Sequence, residues 1–151
     1  MYLKGWANIA TFAKNLSSKQ HSFRAVAWSR NIAGCGRDSR ELLGYVRKEM
    51  ADSRTMGRFR YKSQEAEAAT WDDMACVQTR VVAEDHGVVS TPGESFTFFQ
   101  KAINCAQPEA TGAVIEVRYS ERGGLPEGAP ELAAEGEAVL KGLKQRREPA
   151  K

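Results

Sequence analysis

The chain has 151 residues, of which 42% are hydrophobic and 27% charged, and its formal net charge is +3. This length suits one domain with flanking segments, and the composition excludes a fibrous or wholly disordered protein. Uncharged stretches are shorter than the roughly 18–20 apolar residues of a membrane-spanning helix, so no transmembrane segment is predicted. The three cysteines match neither a disulfide framework nor a zinc motif, which favours a reducing compartment.

The charges are distributed unevenly along the chain. Residues 1–37 contain six basic side chains and no acid, whereas residues 84–151 contain eight basic and eleven acidic side chains. The first sixteen residues also place apolar side chains at helical spacing. A basic, acid-free, amphipathic N-terminus is typical of a mitochondrial import signal, and an ordinary first helix is the alternative.

The middle of the chain has the periodicity of three helices. The first is predicted over residues 19–33, after a serine pair that offers an N-cap. Asp38 followed by Glu41 resembles a capping box and predicts a second helix that ends near Ser53. A long third helix is predicted over residues 58–85. The second helix has an apolar side formed by Leu42, Leu43, Val46 and Met50.

Beyond these helices the periodic signals are shorter. The run Thr91–Glu94 combines an N-cap threonine, a proline at the first helical position and a glutamate three residues after the cap, which predicts another helix. Residues 113–119 alternate apolar and polar side chains and predict a lone strand. A final charged helix is predicted over Glu131–Arg147. These C-terminal elements have little core of their own, which is typical of a segment that lies along another protein.

The predicted fold class is therefore mostly α, a three-helix bundle with extended N- and C-terminal arms. The basic amphipathic arm covers residues 1–18, the three-helix core residues 19–87, and the C-terminal arm with short helices and a linker residues 88–151.

Catalytic motifs are weak in this sequence. His21 and His86 do not stand near a cysteine or serine in a recognisable arrangement. Asp72 and Asp73, if helical, point about 100° apart and make a poor cation site. We therefore predict no enzyme activity, no catalytic residue and no metal site.

Basic side chains are better organised. Arg40, Arg47 and Arg54 are spaced by seven residues, so they lie nearly in line along the second helix, and Lys48 extends the patch. A solvated helix face is the simplest interpretation of such a run. Because the run is one-sided and arginine forks hold carboxylates and phosphates, an acidic protein or RNA is the alternative.

The segment Arg58–Lys62 interleaves aromatic and basic residues, as some RNA-binding segments do. On a helix, however, Phe59 and Tyr61 diverge by about 200° and form no stacking platform. The segment is therefore weak support for nucleic-acid binding.

Three features of the predicted core are similar to one known family. The first helix contains Ser22-Phe23-Arg24, the second contains Tyr45-Val46-Arg47-Lys48-Glu49-Met50, and a long third helix follows. Residues 20–87 thereby resemble the LYR-motif (complex 1 LYR) family of small mitochondrial three-helix proteins. The stretch from His21 to Arg24 resembles the assembly-factor branch associated with the mitochondrial ATP synthase somewhat more than it resembles the complex I subunits.

This resemblance implies a partner and a binding surface. LYR proteins bind mitochondrial acyl carrier protein, whose acidic helix meets basic residues of the LYR protein. No cofactor is then bound directly, but the acyl-4′-phosphopantetheine of the carrier protein enters a groove between the helices. The implied partner-binding residues are Phe23, Arg24, Arg40, Arg47, Lys48 and Arg54. The implied acyl-chain groove is formed by Val46, Ala66 and Ala69.

The sequence and the resemblance together predict a non-catalytic accessory or assembly subunit of a large mitochondrial membrane complex. The ATP synthase or a respiratory-chain complex such as complex I is expected, with the protein on the matrix side, peripheral to the inner membrane. Its partners would be subunits of that complex and acyl carrier protein, with no DNA. The alternative is an RNA-contacting accessory protein of the mitochondrial ribosome, for which binding would fall steeply with salt.

Overall fold

The computed structural model describes residues 10–15, 22–32, 38–54, 57–71, 73–87, 92–107, 112–123 and 130–142. These residues form six strands and two helices, so the described part of the protein is mostly β. In chain order the elements are β1 (Ala10–Asn15), β2 (Ser22–Asn31), α1 (Ser39–Ser53), β3 (Phe59–Trp71), β4 (Met74–Asp85), β5 (Phe96–Ala106), β6 (Ala113–Arg122) and α2 (Pro130–Lys141).

The strands form one antiparallel sheet in the order β1-β2-β6-β5-β4-β3. β3 to β6 are joined in sequence as a meander, and β6 then pairs with β2, which comes from much earlier in the chain. α1 connects β2 to β3 and packs against β3 and β4, whereas α2 packs against β6 and β2.

Each helix covers its own face of the sheet. The core beneath α1, called here the α1 core, includes Val77 and Val114, and the core beneath α2, called the α2 core, includes Cys76 and Ile115. Since successive residues of a strand point to opposite faces, these neighbours place the two helices on opposite sides. The α1 core consists of Ile32, Leu42, Val46, Val77, Ala106 and Val114.

The second predicted helix is confirmed as α1. Asp38 is its N-cap, and its side chain accepts a hydrogen bond from the backbone N–H of Arg40 at 2.9 Å. Leu42 and Val46 of the predicted apolar side are buried against the sheet. The strand predicted over residues 113–119 is confirmed as part of β6, but it is not a lone strand, because β6 pairs with both β2 and β5. The predicted C-terminal helix overlaps α2, and residues 143–147 lie outside the described residues.

The predicted three-helix bundle is wrong. Of residues 19–33, those from 22 to 31 form strand β2, and residues 58–85 form the β3–β4 hairpin instead of one long helix. The arms of that prediction are wrong as well, because β1 belongs to the expected N-terminal arm and β5 and β6 to the C-terminal one. The described part of the protein is therefore mostly β, and strands replace two of the three helices on which the LYR resemblance was based.

The hairpin shows why helical periodicity misled. β3 is rich in Glu, Gln and Ala, which are good or tolerated helix formers, yet its charged side chains mostly alternate with half-buried ones. β4 is covered on both faces, and its apolar residues form two runs, 74–77 and 81–83, instead of alternating with polar ones. Trp71 pairs with Met74, and Asp73 between them has a φ of 62°, which is the backbone of a tight turn. Asp72 lies outside the described residues.

The helix expected after Thr91 is also replaced by a strand. Pro92 and Gly93 form a turn, and Gly93 has a φ of 87°, a conformation that glycine adopts without a steric penalty. Phe96, Phe99 and Ile103, which have helical spacing, all lie in β5. Thr91 itself falls outside the described residues.

Two of the cysteines are bonded to each other, contrary to the sequence-based expectation. Cys76 of β4 and Cys105 of β5 are directly opposite in the sheet, with a Cα–Cα distance of 4.1 Å, and form a fully buried disulfide in the α2 core. The cysteine pattern therefore no longer supports the expectation of a reducing compartment. Cys35 lies outside the described residues.

Neither of the two helices in the described part of the chain has the length and apolar character that crossing a bilayer requires.

Candidate ligand-binding cleft

A cleft of about 880 Å³ opens between the C-terminal half of α1 and the face of the sheet that α1 covers. At the N-terminal half of the helix, Leu42 and Val46 pack onto Val77 and Val114 and close one end. From Tyr45 onwards the helix stands over longer polar side chains of the sheet. The α1 core therefore ends where the cleft begins.

The floor of the cleft follows the register of the sheet. Ser120 of β6 is opposite Gln100 of β5, and Gln100 is opposite Val81 of β4. One step towards the α1 core, Arg118 is opposite Ala102, which is opposite Thr79. The floor is therefore polar along β6 and combines polar and apolar side chains along β5 and β4.

Three polar side chains are buried on this floor. Thr79 is 6%, Asn104 3% and Glu116 7% exposed, and all three line the cleft. Asn104 and Glu116 are direct neighbours across β5 and β6, and Arg118 lies 3.7 Å from a carboxylate oxygen of Glu116. Burying such groups beneath a helix costs free energy unless they are hydrogen-bonded.

An ion pair with a buried carboxylate forms another wall. Asp85 is 1% exposed, and the Nε and Nη2 atoms of Arg58 donate to its two oxygens at 2.9 Å each. The backbone N–H of Gly87 donates to the same carboxylate at 3.0 Å. The hydrogen bond from Arg58 is the main cause of a lowered Asp85 pKa, and the same contact raises the pKa of Arg58. Asp85 is therefore a fixed negative charge that holds Arg58 at the cleft.

Arg122 of β6 interacts with Asp85 less closely than Arg58 does. Its Nη1 is 3.8 Å from Asp85, whose oxygens already accept the bonds from Arg58. Its Nε is buried and has no hydrogen-bond partner among the described residues. A buried donor without an acceptor is rare in folded proteins and is one of the features found at functional sites.

Aromatic rings flank this ion pair. The ring centroid of Phe59 is 4.9 Å from that of Phe98 and 6.1 Å from that of Tyr61, and all three residues line the cleft. Because β3 is a strand, Phe59 and Tyr61 lie on one face, and the divergence expected for a helix does not occur. The three residues, called here the aromatic wall, give the cleft an apolar side.

Only part of the predicted partner-binding set reaches the cleft. Arg24 lines it, whereas Arg40, Arg47 and Lys48 are exposed on α1 and are not part of its lining. Arg54 caps the C-terminus of α1 and donates to Gln64, beside a smaller neighbouring pocket of about 640 Å³. Phe23 is in β2, and its side chain is outside the described part of the structure.

The predicted acyl-chain groove is divided between the two faces of the sheet. Val46 belongs to the α1 core and also lines the cleft, and Ala66 packs against the same core. Ala69 packs against the α2 core on the opposite face. Arg47 donates to the backbone oxygen of Ala66 at 3.3 Å, which ties α1 to β3.

Comparison with known proteins adds no family assignment. No family model matches the chain, and no similar curated protein is found. The cleft is therefore interpreted from its own residues. Among the described residues no group of His, Cys, Asp and Glu is arranged to hold a metal ion.

Sequence reasoning missed most of the cleft residues, although β6 carried a usable signal. Its even-numbered side chains from 116 to 122 are Glu116, Arg118, Ser120 and Arg122, and they alternate with Val117, Tyr119 and other residues of the α2 face. A strand with an apolar face and a charged face that is partly buried indicates a polar site beneath a covering element. The alternation was visible in the sequence, but the partial burial of the charged face was not.

Proposed function

We propose that the protein binds a small organic molecule in the cleft between α1 and the sheet. The observation that carries the proposal is the burial of Thr79, Asn104 and Glu116 together on the floor of one cleft of about 880 Å³. Ligand sites in proteins typically occupy roughly 300–1,000 Å³ and combine an apolar lining with a few placed polar groups.

The cleft has both kinds of lining. The aromatic wall with Val26, Val81 and Met50 offers apolar surface, while the floor along β5 and β6 offers amide, hydroxyl and charged groups. A core built for stability alone would place apolar side chains at these positions, because replacing a buried ion pair by well-packed hydrophobic residues is often neutral or stabilising. Retention of the polar floor supports binding of a molecule that has polar and apolar parts.

Binding of N-phenyl-1-naphthylamine, an uncharged dye that fluoresces in apolar surroundings, tests the proposal. One saturable site per folded chain is expected. Gln100→Trp places an indole on the cleft floor and should weaken binding at least tenfold. Gln78→Trp puts the same side chain on the opposite face of the sheet and should leave binding unchanged. Absence of saturable binding to the folded chain, or equal loss in both variants, would contradict the proposal.

The accessory-subunit role predicted from the sequence is a second candidate, favoured by the exposure of Arg40, Arg47 and Lys48 on α1. Such a basic helix face would suit an acidic partner such as acyl carrier protein, or the RNA of the alternative. The carrier protein should be recovered with the wild-type chain from mitochondria and lost with Arg47→Glu. Recovery of the chain with neither acyl carrier protein nor a membrane complex would exclude this candidate.

A further inference from the structure

We infer that the ligand of the cleft carries a carboxylate, which is bound among three arginines that surround Ser120. This inference rests on the proposed function and specifies the chemical class of the ligand. The site, called here the arginine cradle, consists of Arg24, Gln100, Arg118, Ser120 and Arg122, all of which line the cleft.

The register of the sheet sets the geometry of the cradle. Ser120 is opposite Arg24 on β2 and opposite Gln100 on β5. Residues directly opposite have Cβ atoms about 4.5–5.5 Å apart. Arg118 and Arg122 lie two residues before and after Ser120 on β6, about 7 Å away along the same face. Ser120 and Gln100 therefore lie on the same face of the sheet as the three arginine residues.

The acids on the sheet leave positive charge in the cradle. Arg118 is paired with Glu116 at 3.7 Å, and Asp85 is shared between Arg58 and the more distant Arg122. Across the whole cleft four arginines face four acids, because α1 contributes Glu49 and Asp52. On β2 and β6 alone, the three arginines of the cradle stand with a single acid, Glu116. The positive charge is therefore local to the cradle, where an anion would be balanced by it.

Arg122 also has hydrogen-bonding capacity to offer. Its side chain is 27% exposed, its Nη1 has only the 3.8 Å contact with Asp85, and its Nε has no acceptor among the described residues. The neighbouring Arg58 shows how such a group is satisfied, because it holds a carboxylate through Nε and Nη2 together. The guanidinium fork matches the planar geometry of a carboxylate.

The surroundings of the cradle indicate what the carboxylate is attached to. Phe98 is directly opposite Arg122 across β5 and β6, and it contacts Phe59 of the aromatic wall. An anion at Arg122 therefore has apolar surface beside it. The class of ligand is an amphipathic carboxylic acid with an aliphatic or aromatic body.

Displacement of N-phenyl-1-naphthylamine by decanoate and by decanol tests this inference, since the two competitors differ in the carboxylate. Decanoate should bind about tenfold more tightly than decanol, the ratio expected for one charge-assisted hydrogen-bonded pair. Arg122→Gln should remove that advantage and leave decanol unchanged. Arg40→Gln, an exposed change on α1 outside the cleft, should alter neither affinity.

The outcomes separate the two proposals. Dye binding with equal affinities for decanoate and decanol would overturn the carboxylate inference alone, whereas no saturable dye binding would overturn the proposed function. Decyl phosphate provides a third competitor, and tenfold tighter binding than decanoate would overturn the carboxylate in favour of a phosphate. Arg24→Gln, at an exposed position, should also weaken decanoate selectively if Arg122→Gln does not fold. An unchanged decanoate affinity in a folded variant of either arginine would contradict its place in the cradle.

Discussion

Removal of the Arg58 side chain should destabilise the protein in a way that depends on pH. Arg58→Ala deletes two hydrogen bonds of 2.9 Å to a carboxylate that is 1% exposed, while the Arg58 side chain itself is 50% exposed. Breaking a fully buried pair costs about 3–5 kcal/mol, and hydrogen bonds to charged groups contribute about 1.5–3 kcal/mol. Since the Arg58 side chain is half exposed and Arg122 remains near Asp85, we expect the unfolding free energy to fall by about 2–3 kcal/mol at pH 6.

The pH dependence follows from the lowered pKa of Asp85. A carboxyl group whose pKa is lower in the folded state stabilises fully above its ordinary pKa of about 3.9, and that stabilisation is lost as the pH falls through the lowered value. Protonation of Asp85 removes the charge that Arg58 pairs with. The difference in unfolding free energy between wild type and Arg58→Ala should therefore shrink between pH 5 and pH 2.5.

Urea unfolding followed by circular dichroism measures both quantities. Arg60→Ala provides the control, because Arg60 is an exposed arginine only two residues further along the chain, in β3, and its cost should stay within about 0.5 kcal/mol. Equal losses for the two variants, or an Arg58→Ala loss that does not change with pH, would refute the role assigned to the Arg58–Asp85 pair.

Further predictions concern the α2 face. Gly136→Ala should lower the unfolding free energy by about 1–3 kcal/mol, because a Cβ there would lie 2.5 Å from the ring of Tyr119. Gly44→Ala is the control on α1: a Cβ there has nothing within 4 Å, so the substitution should stabilise the helix by about 0.5–1 kcal/mol. Opposite signs are expected in urea unfolding, and equal signs would contradict the α2 packing. Replacement of both Cys76 and Cys105 by serine removes a disulfide that joins residues 29 positions apart. The unfolding free energy should fall by roughly 3–4 kcal/mol in the same assay, and a change below 1 kcal/mol would argue against the bond. Burial raises the pKa of Tyr119 to about 12, so stability should fall as the pH rises above about 10, where the unfolded phenol ionises. Tyr119→Phe should lose less stability than wild type between pH 9 and pH 11, and identical profiles would contradict this assignment.

Local signals in the sequence predicted the elements that local interactions determine. The helix α1 has a capping side chain at Asp38 and an apolar stripe that includes Leu42 and Val46, and both features act within a few residues. The strand β6 has clean alternation between its two faces. These two elements were identified correctly.

The sheet could not be predicted in the same way, because its pairings join distant parts of the chain. β2 pairs with β6, and nothing in the local sequence of residues 22–31 indicates which strand it pairs with. Interpreting residues 113–119 as a lone strand removed the reason to look for others, so apolar residues in β4 and β5 were assigned to helices. The dipeptide Pro92-Gly93 and the turn at Asp73 were the available indications of hairpins.

The cleft was harder to predict than the fold, since it depends on burial. Arg24 and Val46 were selected from the sequence for a helical groove and do line the cleft, but on a different framework. Asp85, Glu116 and Arg122 resemble ordinary surface charges in the sequence. Only the packing of α1 over the sheet shows that they line one cleft, with Asp85 and Glu116 buried.

The most direct test of a ligand cleft beneath α1 is a titration of the folded protein with decanoate, followed by methyl NMR of its valines. Val26 and Val81 line the cleft, whereas Val82 and Val117 belong to the α2 core on the opposite face. We predict saturable shifts of the Val26 and Val81 methyl resonances with the other two unchanged. Shifts confined to Val82 and Val117, or no saturable shift at either face, would contradict the account.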